Sequence, residues 1–355
     1  MRWKWQKTEL RVTDSGELVH IGCYTPQSGG RGEGIVAARR DPRSGRLDIL
    51  GTVAATPSPS FLARHPRLPV LYAVGELDDG VVTAWTIGPD GGLAALGSQP
   101  TGGASPCHLA VSSDGAFLLT ANYGGSVVVH PLDPAGAPGP RTDLLKHDGH
   151  GADPDRQEGP HVHMVSPTPD GGPLLVVDLG TDAVYRYDLD PSNGRLRSHG
   201  TPVRTSPGTG PRHLSRHPDG RFFVVGELNA TVHEYADESG AVRERSRVAA
   251  SGRGGHVQPS DIVVSGDGRF LYVGNRGVDT VGVFALDGAQ PRLVAEVGSG
   301  GHWPRQLAVT GIHLYVANER SHTVGVFAVD PESGVPTPVG DPVAVPSPTC
   351  ILPTT

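Results

Sequence analysis

The stretch Pro106-Cys107-His108-Leu109-Ala110-Val111-Ser112-Ser113-Asp114-Gly115-Ala116-Phe117-Leu118-Leu119-Thr120-Ala121-Asn122 has a near copy further along the chain. That copy is Pro211-Arg212-His213-Leu214-Ser215-Arg216-His217-Pro218-Asp219-Gly220-Arg221-Phe222-Phe223-Val224-Val225-Gly226-Glu227. Each reads as a short apolar strand, an Asp-Gly turn and a second apolar strand with a polar end, and a third strand follows. The second strands end at Tyr24, Glu76, Asn122, Leu179, Glu227, Asn275 and Asn318, at intervals of 43 to 57 residues. Short strands at that period predict an all-β chain, a β-propeller, and seven ends predict seven blades of four antiparallel strands.

The repeat makes 18–355 a single domain and leaves 1–17 as an N-terminal extension, expected to be disordered or an artefact of an upstream start. Gly 50 and Pro 33 in 355 residues are then the turn residues of many short strands. With aromatics at 5%, the sheets must pack mainly through Val, Leu, Ile and Ala. The net charge of −7 and the lack of a basic tract argue against nucleic-acid partners. No stretch is apolar and long enough to span a bilayer, and Met1–Lys7 lacks the apolar core of a secretory signal. Three widely spaced cysteines, Cys23, Cys107 and Cys350, suit reduced thiols in a cytoplasm better than a disulfide or metal framework.

The chain ends complement each other. Leu18–Tyr24 resembles a second strand without a first, and Thr349–Leu352 a first strand without a second. Pairing them in one blade closes the ring and removes its open edges. The longest interval holds the Pro/Gly-rich segment Asp133–Pro160, which is expected to form a lid over the channel mouth.

The first strand of each blade is innermost, so its first residues ring the channel. That ring reads Ser60, Cys107, His163, Arg212, Ser260, Arg305 and Thr349. A purely structural ring would repeat small or apolar residues. The antiparallel second strands end on the same face and add Glu76, Asn122, Glu227, Asn275 and Asn318, with Arg276 and Glu319 one residue later. Arginines suit an anionic substrate, and His and Glu suit proton transfer. His163, Glu227, Arg212 and Arg276 are therefore the catalytic candidates. Arg305, Glu76, Asn122, Gln157 and Asn275 are the substrate-binding candidates. The strand-end asparagines also fit a backbone-satisfying role. Cys107 lacks an activating neighbour. His161 and His163 form an H-x-H pair expected to point to one side, but no third ligand is visible, so neither a metal nor another cofactor is expected. His108 and His213 are expected on the opposite side of the first strand, against a neighbouring blade.

These motifs resemble the seven-bladed-propeller lactonase family, which includes the propeller type of 6-phosphogluconolactonase and the fungal carboxymuconate lactonizing enzyme. The resemblance runs from about 18 to 353. It is carried by Ser105-Pro106-Cys107-His108-Leu109-Ala110, Asn122-Tyr123-Gly124-Gly125, Arg156-Gln157-Glu158-Gly159-Pro160-His161-Val162-His163, Gly208-Thr209-Gly210-Pro211-Arg212-His213, Gly226-Glu227-Leu228 and Asn275-Arg276-Gly277. It implies that His163, Arg212, Glu227 and Arg276 match the family's proposed active-site residues. It also implies metal-free hydrolysis of a small anionic sugar lactone, of which 6-phosphogluconolactone is the first choice. Gln306 stands where relatives often carry His, and Gly75-Glu76 and Gly226-Glu227 stand where Asn-Glu is usual. A lactonizing cycloisomerase would use the same residues, and a non-catalytic binding propeller is the third reading.

Overall fold

The structure, a computed structural model, describes residues 16–238 and 240–354. Most of the expected extension lies outside them, and Glu17 already belongs to the first strand, Glu17–Cys23. Seven antiparallel sheets follow one another round a ring, and each innermost strand touches the innermost strand of the next blade. From the channel outward, blade 3 runs Pro106–Val111, Phe117–Asn122, Ser126–Pro131 and Asp143–Lys146. Blade 5 runs Pro211–Arg216, Phe222–Gly226, Thr231–Glu238 and Ala241–Ala249. Blades 4 and 7 carry a split outer edge, where Val203–Arg204 and Val343–Ala344 add short pairings to the third strand.

Blade 1 closes the ring. Pro348–Pro353 pairs antiparallel with Glu17–Cys23, with Ile21 opposite Ile351 and Val19 opposite Pro353. The sheet then continues to Gly34–Arg40 and Leu47–Ala55. Gln306 of blade 7 accepts the Ile351 N–H at 2.8 Å, which ties the closing strand to its neighbour.

Seven apolar clusters hold the blades together, one between each adjacent pair. They follow from strand alternation: Phe223, Val225 and Val232 of blade 5 meet Ile262, Leu271 and Val273 of blade 6. A tyrosine in the second strand adds a directional tie. The Tyr72, Tyr272 and Tyr315 hydroxyls donate to the carbonyls of Gly136, Gly334 and Gly45 in the following blade, at 2.7, 3.0 and 2.7 Å. The segment Asp133–Pro160 is not wholly a lid, because Asp143–Lys146 is the outer strand of blade 3. Its second half crosses to the channel mouth.

Candidate active site

The innermost strands share a device that plain alternation does not predict. In blade 3, Pro106 pairs with Asn122 and His108 with Ala121, so Cys107 is skipped. The same slip falls at His163 and Arg305, and at Thr349, which is passed over between the pairings of Pro348 and Cys350. In blades 5 and 6 it spans Arg212–His213 and Ser260–Asp261. These are β-bulges, which break the two-residue alternation and re-aim side chains. In five of the seven blades the ring residue follows a left-handed residue and then proline. The left-handed residues are Ser58, Ser105, Gly210, Trp303 and Ser347, each two positions before its ring residue.

The bulge turns two consecutive side chains toward the channel. Arg212 lines the mouth. His213 lies below it, with its ring centroid 5.6 Å from His108 of blade 3 and 6.1 Å from Phe61 of blade 2. These blades are not neighbours of blade 5, so His108 and His213 meet inside the channel. This corrects the expectation that they pack against an adjacent blade: the bulge, not alternation, sets their direction.

The second-strand ends need a one-residue shift. Asn122, Asn275 and Asn318 pair opposite the leading proline of their blades, where blade 5 has Gly226. The structural counterparts of Glu227 are therefore Tyr123, Arg276 and Glu319. The asparagines are fully buried. Their Nδ2 groups donate to Ser126 Oγ, the Ala250 carbonyl and the Ser299 carbonyl at 2.9–3.0 Å. Asn122 and Asn275 thus point into their blades rather than toward a substrate. Gln157 is likewise sealed. It accepts the N–H groups of Ala152 and Asp153 and donates to the Leu179 carbonyl and Asp182. It pins the loop, while its neighbour Arg156 enters the mouth.

The mouth is a cavity of about 320 Å³ lined by His163, Arg212, Glu227, Arg276, Arg305 and Glu76, together with Tyr24, Tyr123, Arg156 and Gln258. Glu227 is its most connected group. Its Oε1 accepts from Arg156 Nη2 at 2.6 Å and Gln258 Nε2 at 2.9 Å. Its Oε2 accepts from Arg276 Nη2 at 2.8 Å and pairs with Arg212 Nε at 3.1 Å. Across the cavity, Arg305 bonds the Tyr24 hydroxyl and pairs with Glu76 at 3.4 Å and Glu319 at 3.5 Å. Tyr24 in turn donates to Glu76 at 2.8 Å. His163 lies between the two groups, with Tyr123 edge-on at 5.8 Å.

The seven-bladed β-propeller lactonase model matches residues 18–353. A 6-phosphogluconolactonase of Bacillus subtilis is 35% identical over 81% of this chain and 83% of its own length. The chain belongs to the seven-bladed β-propeller lactonase family. The periplasmic gluconolactonase of Pseudomonas aeruginosa superposes with a TM-score of 0.88 at 32% identity, covering 96% of this chain and 99% of its own. A candidate 6-phosphogluconolactonase of Bacteroides fragilis superposes at 0.90 with 32% identity, covering 97% and 99%.

The electrostatics of the lactonase mouth are uneven. Burial alone would raise the Glu227 carboxyl, but Arg276, Arg212 and Arg156 outweigh it and hold it far below the usual carboxylate range. Burial, then Arg276, bring Arg212 down to about 10, so it stays charged at neutral pH. Burial, helped by Arg212 and His213, pushes His163 well below 6.5 and keeps it a neutral imidazole. Cys107 also lines the mouth, but burial raises its thiol far out of the reactive range, and its Sγ contacts the backbone carbonyls of Ala121, Val162 and His163. His161 precedes its strand and stacks on Tyr123 at 4.3 Å, while His163 meets the same ring edge-on. Among the described residues, no cluster of three or more His, Cys, Asp or Glu is placed to hold a metal ion.

Sequence reasoning passed over Arg156, Tyr123 and Gln258. Tyr123 was signalled by its place one residue after the strand-end asparagine. Arg156 lies in the segment expected over the mouth, but only the folding of that loop brings it to Glu227. That loop is pinned by Gln157 and by His147, whose Nδ1 lies 2.7 Å from Asp178.

Proposed function

We propose that this mouth hydrolyses a sugar lactone carrying one anionic group, with 6-phosphogluconolactone the first choice. The observation that carries the reading is the division of charge. One wall has three guanidiniums around one carboxylate, and the other has two carboxylates around one guanidinium. The first wall suits a phosphate or carboxylate. The second suits neutral hydroxyls and opposes further anions, which disfavours a polycarboxylate such as carboxymuconate. Arg305 is thus a hydroxyl-side residue, since its charge is already matched by Glu76 and Glu319.

His163 is the general base in this reading. Glu227 is too strongly stabilised as an anion to take a proton at neutral pH, and it orders the arginines instead. Water adds to the acyl carbon as His163 takes its proton. Arg212 and Arg276 lie on the side where the carbonyl oxygen gains charge. The tetrahedral adduct then expels the ring oxygen, which leaves with the proton from His163. Arg156 has donors beyond the one given to Glu227 and is 38% exposed, so it is the anion-binding arginine. No metal enters this scheme. The buried, unpaired Cys23, Cys107 and Cys350 and a phosphorylated substrate suit the cytoplasm, which cell fractionation tests.

The test is steady-state hydrolysis of 6-phosphogluconolactone, gluconolactone and the carboxymuconate lactone, with and without chelator. The phosphorylated lactone should have the highest kcat/KM, unchanged by chelator. A higher kcat/KM for the carboxymuconate lactone would overturn the substrate choice. Loss of activity on chelation would overturn the metal-free scheme.

A further inference from the structure

Below the mouth, blades 3 to 6 bring His108, His163, His213 and Asp261 together. Asp261 is fully committed as an acceptor. Its Oδ1 takes the Ile262 N–H at 2.9 Å and lies 2.8 Å from His213 Nδ1, and its Oδ2 takes the Leu307 N–H at 2.9 Å. His213 must therefore carry its proton on Nδ1, which leaves Nε2 as a lone pair. That Nε2 is buried and has no protein partner. The nearest unsatisfied ring on the mouth side is His163, whose centroid lies 5.1 Å from that of His213 and whose Nδ1 is also buried without a partner.

We propose that Asp261 and His213 are a positioning pair that fixes the tautomer of His163. A small ring rotation, or one bridging water, joins the His163 Nδ1–H to His213 Nε2. Such bonds are often loose before substrate binds and tighten afterwards. The proton of His163 is then held on Nδ1, and Nε2 presents its lone pair to the cavity. When Nε2 takes the proton of the attacking water, His163 becomes an imidazolium whose Nδ1–H stays bonded to His213, with the Asp261 carboxylate behind it. No proton leaves the pair. The other groups facing His213 are Phe61, His108, Arg212 and Arg305. None of them is both negative and within bonding reach, so Asp261 alone sets its orientation. His108 Nδ1 is also unpartnered in this space and can share the bridging water.

This inference rests on His163 as the base, but one of its tests does not need turnover. Nitrogen-15 spectra of the histidine-labelled full chain should show His163 protonated on Nδ1. His213→Phe, which keeps a ring but removes the lone pair, should shift His163 toward the Nε2–H form. It should also lower kcat about ten- to hundredfold at unchanged KM. Asp261→Asn should act in the same direction. His213→Gln returns an acceptor and should restore kcat to within about threefold. If His163 carries its proton on Nε2 in the unaltered chain, or keeps one tautomer in all variants, the pair is overturned. If the chain hydrolyses no lactone while the tautomer shift is present, the pair stands and the lactonase reading falls.

Discussion

At the residue scale, Glu227 decides how the mouth behaves. Three guanidiniums share one buried carboxylate, so Glu227→Gln strands positive charge out of water. The variant should lose roughly 3 kcal/mol in urea unfolding at pH 7, since breaking a buried pair costs about 3–5 kcal/mol and Arg156 is partly solvated. The pH dependence follows from the sign of the shift. The folded carboxyl is depressed, so its contribution is complete above the unfolded value of about 4.3 and is lost only as pH falls through the far lower folded value. The stability gap between native and variant should stay constant from pH 8 to about pH 5 and narrow only under strong acid. A gap that closes between pH 7 and 5 would show that Glu227 is not held down as described. His163 has the opposite bearing on rate. Its lowered value keeps it neutral, so kcat should still be level at about pH 6.5, the ordinary histidine value, and fall only well below it. His163→Asn should lower kcat by roughly 10²–10⁴. Arg156→Ala removes a charged donor that touches little of the core, so it should raise KM about ten- to hundredfold, the equivalent of about 1.5–3 kcal/mol. Melting should barely change.

At the scale of the element, the functional side chains depend on the bulged first strand and the left-handed turn before it. Gly210 makes that turn in blade 5 at φ 57°, and an added Cβ would stand 2.4 Å from the Leu228 side chain. Gly210→Ala should destabilise by about 1–3 kcal/mol and displace Arg212, raising KM as well as lowering the melting temperature. A variant with normal kinetics and melting would show that the turn does not set Arg212. These elements also mark the limit of what the sequence discloses. The Asp-Gly turns and apolar runs fix the number of blades and their strands, because strand alternation and turn chemistry are local. Ring residues Cys107, His163, Arg212 and Arg305 are legible because the repeat aligns them. The bulge is not legible: a skipped residue leaves no mark in a pattern of Pro, polar and apolar positions, so His108 and His213 are placed on the wrong side. The shift between Asn122 and Glu227 arises in the same way, since both end an apolar run. Arg156 reaches the mouth through a loop tied by Gln157 and His147, and those ties are long-range contacts with no local signature.

At the scale of the whole molecule, the ring stands or falls on a strand contributed by the opposite end of the chain. Pro348–Pro353 supplies the inner edge of blade 1, and its Ile351 and Cys350 belong to the apolar clusters on both sides of that blade. The Thr349 hydroxyl donates to the Gly22 carbonyl at 3.0 Å within the same blade. Deleting residues 348–354 would expose the backbone of Glu17–Cys23 as a free edge and open two interblade cores together. The truncated chain should therefore aggregate or lose its cooperative thermal transition, rather than melt a few degrees lower. Closure by pairing also implies that chain continuity can lie elsewhere in the ring. Thr354 bonds the Leu18 carbonyl and Pro353 pairs with Val19, so the first and last strands of the described residues lie side by side and a short linker can join them. A permutant linking Thr354 to Gly16, with new ends at the exposed turn around Gly200, keeps every strand pair and every residue of the mouth. It should fold cooperatively and hydrolyse its lactone with a kcat within a few-fold of the native chain. If the truncated chain instead kept its full transition, or the permutant failed to fold, ring closure by the terminal strands would not be what holds the propeller together.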